Sequence, residues 1–238
     1  MDDFENLMVT RPPTAARPLL GLTVLVVEDS HFACEALRLL CLRSGARIRR
    51  ADSLRAARRH LQVYRPSVLI VDIGLPDGHG AELIEEMSRN VPRVEVILAT
   101  SGATDSEASA LAAGADGFLA KPLESLAAFQ DAVLKHLPAE RQPVGPRVIP
   151  EEVVAPDPIA LQDDMALVAD ILSNDPNDAM VAYVAQFVTG VARSARDGEL
   201  EALATAVTGD QTEGKPLGTD LARLAAVVHA RMSDRIAI

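Results

Sequence analysis

Short apolar runs alternate with amphipathic stretches through the first 138 residues of the chain. Five of the runs are predicted to be β-strands, at 22–27, 47–51, 68–71, 94–99 and 117–120. Three of them are almost continuously apolar, as expected of strands that are covered on both faces. Helices are predicted between and after them, at 31–44, 54–63, 80–89, 105–113 and 123–136. Five strand–helix repeats of this length predict an α/β fold, a doubly wound parallel sheet with right-handed crossovers.

The last third of the chain has a different pattern, without comparable strand-like runs. Apolar residues recur at helical spacing there, for example at Met180, Val184 and Val191. Helices are predicted at 159–172, 177–194, 198–207 and 219–232. The pattern therefore predicts a small all-α helical bundle after the sheet.

Prolines mark the boundary between the two patterns, with six of them between residues 138 and 158. Such a stretch cannot be the interior of a helix and is typical of a semi-extended linker. We therefore expect an N-terminal arm at 1–19, a sheet domain at 20–138, a Pro-rich linker at 139–158 and a helical output or interaction domain at 159–238.

Composition is that of a soluble globular protein, since 48% of the 238 residues are hydrophobic and 24% are charged. The longest apolar runs are far shorter than the ~20 residues that a bilayer requires. The start of the chain is acidic and lacks the pattern of a signal peptide. Its two cysteines, Cys34 and Cys41, are seven residues apart on one helix face, which favours core packing. We expect a cytoplasmic protein that does not contact a membrane.

Charge is distributed unevenly along the chain, whose net charge is −11. Residues 156–238 hold 13 acidic and 6 basic residues, a balance that would repel a phosphate backbone. We therefore expect no direct binding of nucleic acid. Residues 38–65, in contrast, hold nine arginines and the single acid Asp52. This stretch is interpreted as a solvated basic face or, alternatively, as a docking site for an acidic surface, either the helical unit or a partner protein.

Residues whose side chains could bind a ligand or react lie at the predicted carboxyl ends of the strands, where open parallel sheets bind ligands. The first strand leads into Glu28 and Asp29, and the third leads into Asp72. Carboxylates that converge in this way repel each other unless a hard cation such as Mg²⁺ neutralises them. The ammonium group of Lys121 and the hydroxyl of Ser101 suit a phosphoryl group. Together these residues predict that Asp72 is a nucleophile that accepts a phosphoryl group.

At these positions the chain resembles the receiver domain of two-component response regulators, which has a flavodoxin-like fold. The resemblance covers about residues 20–138. Its matching residues are Glu28-Asp29, Asp72 with Leu75-Pro76 and Gly80, Ser101, Phe118 and Lys121-Pro122. The resemblance implies that Glu28, Asp29 and Asp72 hold Mg²⁺. It also implies that the main-chain carbonyl of Gly74 is a further ligand.

The resemblance implies a switch as well, formed by Ser101 and Phe118, which would move when the acceptor is phosphorylated. Thr100 is the competing choice for the switch hydroxyl. Gly74 and Ala103 lack side chains that could order an attacking water, so the lifetime of the phosphoryl group is left open. The resemblance implies a signal carried by the fourth helix, fifth strand and fifth helix, near 105–136, into the linker.

Partners follow from the same resemblance. A cognate histidine kinase or phosphotransfer protein would supply the phosphoryl group, and a downstream protein would receive the signal; a homodimer is possible. The chain is expected to catalyse at most its own phosphorylation and dephosphorylation, and so not to be an enzyme in the ordinary sense.

Three hypotheses remain for the helical unit. The first is a response regulator that signals through protein–protein interaction of this unit. The second is a DNA-binding transcriptional regulator with an unfamiliar helical output domain, although no basic recognition helix is evident. The third is a phosphorelay intermediate, because the helical layout is faintly similar to a histidine-phosphotransfer bundle. The diagnostic His-x-x-Lys-Gly is missing, however, and Val207-Thr208-Gly209 lies roughly in its place.

Overall fold

The structure is a computed structural model that describes residues 12–103, 106–146 and 149–233. Parts of four predicted segments lie outside these ranges: residues 1–11 of the arm, 105 of the fourth helix, 147–148 of the linker and 234–238 of the helical domain. The end of the predicted arm is part of the sheet unit, because Leu19 is fully buried in its core and its backbone N–H donates to the carbonyl of Ser44.

A five-stranded parallel sheet forms the centre of the first unit. Its strands are β1 Thr23–Val27, β2 Arg47–Ala51, β3 Val68–Asp72, β4 Val96–Ser101 and β5 Gly117–Ala120. They are ordered β2-β1-β3-β4-β5, and every neighbouring pair is parallel. A hairpin of two-residue strands, Gly74–Leu75 and Gly78–His79, follows β3. The parallel sheet with flanking helices is thus confirmed.

Five helices cover the sheet: α1 His31–Ser44, α2 Leu54–Val63, α3 Gly80–Ser88, α4 Ser106–Ala112 and α5 Leu126–Leu134. Side-chain oxygens of Ser30, Ser53 and Ser125 accept backbone N–H bonds and cap α1, α2 and α5. One core joins the sheet to α1 and α5, and a second core joins its other face to α2, α3 and α4. Burial on both faces explains why β1, β3 and β4 are continuously apolar over most of their length.

The segment between the two units is packed rather than free. Residues Ala139–Arg141 form a 3₁₀ turn, and Arg141 pairs with Glu95 at 2.9 Å. Farther along, Val153 forms a β-bridge with Ser125, and Val154 is buried in the core that contains α1 and α5. The described parts of the predicted linker before α6, residues 139–146 and 149–157, therefore lie on the first unit. We refer to them as the strap.

As far as the structure describes it, the second unit consists of four helices: α6 Pro158–Ser173, α7 Asp178–Ala195, α8 Gly198–Thr212 and α9 Gly218–Ser233. They share a core of their own, which includes Met165, Val184, Val188 and Leu224. The predicted helical bundle is confirmed, and α8 runs five residues past its predicted end at 207. Helices α6 and α7 pack on α1, and α7 also contacts the hairpin after β3. The bundle therefore lies at the carboxyl edge of the sheet.

Candidate functional site

Three carboxylates meet at the carboxyl ends of the two central strands. Asp72 is the last residue of β3, and Glu28 and Asp29 follow the last residue of β1. Because β1 and β3 are paired parallel neighbours up to Val27 and Val71, their ends lie side by side. One oxygen from each of the three carboxylates lies within 4.8 Å of the others.

A buried ammonium group completes this acidic cluster. Lys121 directly follows β5, and its Nζ lies 2.7 Å from Glu28 Oε2 and 3.2 Å from Asp72 Oδ1. The side chain of Lys121 is only 5% exposed. Its backbone N–H donates to the carbonyl of Ser101, which holds the ends of β4 and β5 together. The four predicted groups Glu28, Asp72, Ser101 and Lys121 therefore converge on one site.

Electrostatics at the site are dominated by burial. Burial raises the pKa of Asp72, and Lys121 opposes this increase. Burial and the neighbouring Asp72 raise the pKa of Glu28 well above its usual range. Burial also raises the pKa of Asp29, to about 7. One ammonium cannot balance three carboxylates, so a further cation would stabilise the charged cluster. Carboxylate oxygens are the ligands that Mg²⁺ prefers, and the donor set fits that ion.

The hairpin after β3 brings backbone close to Asp72. A Cβ atom on Gly80 would lie 2.0 Å from the carbonyl oxygen of Asp72, so only glycine fits there. Backbone N–H groups of Ile73 and Gly74 lower the pKa of the Asp72 carboxyl and partly offset its burial. The predicted Gly80 thus allows the chain to turn back tightly beside the backbone of Asp72.

The two candidate switch hydroxyls point in different directions, as adjacent residues of a strand must. Ser101 lines the same cavity as Asp72 and Lys121, and its Oγ accepts a 3.0 Å bond from the N–H of Ala103. Thr100 is fully buried and donates its hydroxyl to the carbonyl of Leu119 at 2.8 Å. Phe118 is half-buried and packs against the core beneath α2 to α4. The hydroxyl that faces the same cavity as Asp72 is therefore that of Ser101 and not that of Thr100.

Helix α6 contributes a residue that the sequence analysis missed. Asp164 is fully buried and lies at the N-terminus of α1. Its carboxylate accepts hydrogen bonds from the hydroxyl of Ser30 and the N–H of His31, both at 2.7 Å, and from the N–H of Phe32 at 3.1 Å. A carboxylate is stabilised at this end of a helix by the free N–H groups and the helix dipole.

Helix α7 lies directly over the acidic cluster. The hydroxyl of Tyr183 donates to Asp29 Oδ2 at 2.6 Å. Farther along the helix, the backbones of Gly190 and Gly102 approach so closely that a Cβ atom on Gly102 would lie 3.0 Å from Gly190 Cα. A Cβ atom on Gly190 would lie 3.9 Å from Lys121 Nζ. A glycine inside a helical pattern was the one sequence signal that could have indicated such a close approach.

A cavity of about 750 Å³ remains between the two units. Asp72, Ser101 and Lys121 lie on its sheet side. Gln186, Arg193 and Thr208 are among the residues that line it from the bundle. Asp72 therefore faces a cavity whose far wall is formed by α7 and α8.

The other candidate groups lie away from this site. Cys34 and Cys41 are buried thiols, and burial raises the pKa of each to about 12. Of the basic stretch, Arg43 and Arg58 pair with Glu152 and Glu86, which lie outside the bundle. Within the described ranges, the acidic cluster is the one group of three or more potential metal ligands. No helix in that part of the chain is long and apolar enough to cross a membrane.

Comparison with known proteins relates the first unit to a large family. The sequence model of the response regulator receiver domain matches residues 24–133. The KDP operon transcriptional regulatory protein KdpE of Escherichia coli is 36% identical over 100 residues, which are 42% of this chain and 44% of that protein. The virulence transcriptional regulatory protein PhoP of Salmonella typhimurium is 31% identical over 117 residues, 48% of this chain and 52% of that protein. The chain thus spans about half the length of these curated relatives.

The first unit is also similar to parts of solved structures. A putative response regulator from Chloroflexus aurantiacus is 28% identical, covers 48% of this chain and 98% of its own, and has a TM-score of 0.44. The receiver domain of the sensor histidine kinase PA1611 from Pseudomonas aeruginosa, solved with a magnesium ion in its active site cleft, is 24% identical. It covers 48% of this chain and 96% of its own, also with a TM-score of 0.44. The family match ends at residue 133, before α6 begins.

Proposed function

Because residues 24–133 are a response regulator receiver domain, we propose that Asp72 accepts a phosphoryl group from a phosphohistidine of a histidine kinase or phosphotransfer protein. The convergence of Glu28, Asp29 and Asp72 with the buried ammonium of Lys121 is the observation that carries this proposal. A buried cluster of this kind is costly, and ionisable groups with perturbed pKa values that line a cavity are typical of functional sites.

The proposed reaction is a phosphoryl transfer between two side chains. A carboxylate oxygen of Asp72 attacks phosphorus, the P–N bond of the phosphohistidine breaks, and the departing imidazole takes up a proton. The product is an acyl phosphate on Asp72. Lys121, which already contacts Asp72 Oδ1, pairs with the phosphoryl oxygens and offsets their charge. Catalysis of this kind depends mostly on positioning and charge stabilisation.

We assign Mg²⁺ to the acidic cluster. Glu28, Asp29 and Asp72 would hold it, and the main-chain carbonyl of Gly74 is the proposed fourth protein ligand. When bound, the ion neutralises charge on the transferred phosphoryl group. Ser101 and Phe118 are the proposed switch pair, since Ser101 faces the same cavity as Asp72.

The proposed output is protein–protein interaction of the helical unit. Its acidic balance of 13 acids and 6 bases over residues 156–238 supports this output over contact with a phosphate backbone. The names of the curated relatives favour a second candidate, transcriptional regulation through DNA. Salt-sensitive binding of a DNA duplex by the full chain would support that second candidate.

A small phosphodonor tests the acceptor assignment. Incubation of the full chain with phosphoramidate and Mg²⁺ should add one phosphoryl mass, and Asp72→Ala should abolish the addition. Asp52→Asn is the matched control, because Asp52 follows β2 at the same edge of the sheet but is exposed. Labelling of Asp72→Ala equal to that of the wild type, or loss of labelling in Asp52→Asn alone, would contradict the assignment.

A further inference from the structure

An exposed basic surface lies at the edge of the sheet that is formed by β2. This strand is the outermost one of the sheet, and α2 packs beside it. Three of the nine arginines in the stretch 38–65 form ion pairs with acidic residues. The other six are exposed and have no ion pair within the described ranges, and we refer to them as the basic edge: Arg47, Arg49, Arg50, Arg55, Arg59 and Arg65. Unbalanced positive charge of this kind attracts an acidic surface.

Helix α2 carries two of these arginines on its outer face. Arg55 and Arg59 are four residues apart and therefore lie on one side of the helix. Val63 is a further four residues along, ends the helix and is 84% exposed. Asp77 accepts the backbone N–H of Arg55 and is thereby held at the start of the helix. The outer face of α2 thus combines positive charge with an exposed apolar side chain.

Helix α6 carries a surface of complementary charge. Asp163 and Asp170 are seven residues apart, which is about two turns, so they lie on one face of the helix. Both are exposed, and neither has an ion pair within the described ranges. Ile159 and Leu167 are each four residues from Asp163, share that face and are 53% and 38% exposed. We refer to these four residues as the acidic stripe.

The other sides of α6 are covered within the molecule. Met165 and Val168 lie in the core of the bundle, and Asp164 accepts hydrogen bonds from the start of α1. The helix packs on α1, α7 and α9. In the part of the chain that the structure describes, the acidic stripe is therefore the side of α6 that faces solvent.

The basic edge and the acidic stripe of one molecule are kept apart. Val154 of the strap is buried in the core that contains α1 and α5, and α6 begins only four residues later, at Pro158. Four residues of extended chain span about 14 Å, so the start of α6 stays near that face of the sheet. Helix α2 belongs to the core on the opposite face. The two surfaces therefore meet between molecules rather than within one.

From this complementarity we infer that the protein associates with a second copy of itself, with the acidic stripe of one copy on the basic edge of the other. Opposite charges steer the two helices together, and Val63 supplies apolar contact for Ile159 and Leu167. The contact joins two different surfaces, so it either occurs twice across a two-fold axis or continues from copy to copy. The association does not depend on phosphorylation of Asp72.

Sedimentation of the full chain tests whether this association exists and is electrostatic. Exposed ion pairs are individually weak and are screened by salt, so we expect a weight-average mass that rises with protein concentration at low ionic strength. The dissociation constant should increase at least about tenfold at about 1 M salt, where the Debye length is only about 3 Å. A chain that stays monomeric at low ionic strength up to millimolar concentration would overturn the inference. An association that salt strengthens would overturn it as well, since its origin would be apolar.

Charge reversal locates the contact. Asp163→Lys/Asp170→Lys and Arg55→Glu/Arg59→Glu should each be monomeric, because the two surfaces of each variant then carry like charges. Circular dichroism should show the helix content of the wild type in both. Self-association of either variant with the wild-type dissociation constant would place the contact elsewhere and overturn the inference.

A matched control separates the local contact from net charge. Glu107 and Glu140 are exposed acids of the first unit that lie outside both surfaces. Glu107→Lys/Glu140→Lys therefore makes the net charge of −11 less negative by the same amount as the reversal on α6. This variant should associate like the wild type. If it is monomeric too, the association follows net charge and the proposed contact is wrong.

An equimolar mixture of the two reversed variants completes the test. The lysines on α6 of one variant then face the glutamates on α2 of the other, and the unchanged surfaces of the two variants also have opposite charge. Association should therefore return in the mixture, to within about tenfold of the wild-type dissociation constant. A mixture that stays monomeric while the wild type associates would contradict the proposed pairing. Binding of a DNA duplex by a monomeric wild type, lost in Arg55→Glu/Arg59→Glu, would assign the basic edge to nucleic acid instead and overturn the inference.

Discussion

Gly80 and Gly209 show how differently two glycines of one chain can be constrained. At Gly80 a Cβ atom would lie 2.0 Å from the carbonyl oxygen of Asp72 and 3.0 Å from Ile73 Cα, both of them backbone atoms. At Gly209, on the exposed side of α8, a Cβ atom would meet nothing within 4 Å. The first glycine is required by the tight turn beneath the acceptor, and the second only weakens a helix.

Alanine substitutions at these two positions should therefore change the free energy of unfolding in opposite directions. Gly80→Ala is expected to lower the free energy of unfolding by about 2 kcal/mol, because backbone must shift to admit the methyl group. Gly209→Ala is expected to raise it by about 1 kcal/mol through helix propensity. Urea unfolding followed by circular dichroism measures both changes. A Gly80→Ala protein as stable as the wild type would show that the hairpin relaxes at no cost.

Helix α8 is anchored at its start by a contact with α9. Asp197 caps the helix by accepting a 3.1 Å bond from the N–H of Leu200, and Arg231 donates to it at 2.6 Å. The hydrogen bond from Arg231 is the main cause of the lowered pKa of Asp197. Because the pKa is lower in the folded state, the charged carboxylate stabilises the fold at neutral pH. That contribution is lost as the pH falls through the folded-state pKa.

This dependence on the charge of Asp197 predicts that replacing the residue lowers the free energy of unfolding by an amount that depends on pH. Asp197→Ala should lower the free energy of unfolding by about 1 kcal/mol at neutral pH, the usual cost of a lost helix cap. The difference from the wild type should shrink as the pH is lowered below the ordinary aspartate pKa of about 3.9. Thermal unfolding at several pH values measures it, with the exposed Asp163→Ala as control. A cost that stays constant down to low pH would exclude the charge as its source.

The elements themselves were largely predictable from the sequence, and their relative placement was not. The buried apolar strands β1, β3 and β4 differ from their predicted ranges by one or two residues, and the less buried β2 and β5 match theirs. The site residues were predictable because the ends of parallel strands meet at one edge. The position of α6 and α7 over the site was not predictable, because Asp164, Tyr183 and Gly190 are each unremarkable in a helix. Only the packing of two units at long range gives these residues partners.

At the scale of the whole molecule, the two units are in contact mainly through a surface outside the segment 105–136. The resemblance implied transmission through the segment 105–136 into the linker. In the structure the bundle contacts α1, the hairpin after β3 and the loop after β4, while the link toward α5 is the ion pair of Arg196 with Glu124. The bundle thus contacts the acidic cluster directly through Tyr183 and Asp29, while Asp72 faces the cavity between the two units.

Hydrogen exchange distinguishes these two routes. On phosphorylation we expect faster exchange at the start of α1, near residues 31–33, because the backbone N–H groups of His31 and Phe32 lose Asp164 as acceptor. Exchange in the N-terminal turn of α2 serves as an internal reference, because the backbone N–H groups of that turn do not donate to Asp164. Changes confined to 106–136 would support transmission through α4, β5 and α5 instead.

The strap limits how far the bundle can move away from the sheet unit. Val154 is buried in the core of the receiver, and α6 begins at Pro158. Four residues of extended chain span only about 14 Å, so the start of the bundle cannot move farther than that from Val154. A tethered module of this kind faces its site at an effective concentration in the millimolar range, and a free partner must outcompete it. Any movement of the bundle is therefore a small displacement while Val154 stays buried in the core of the sheet unit.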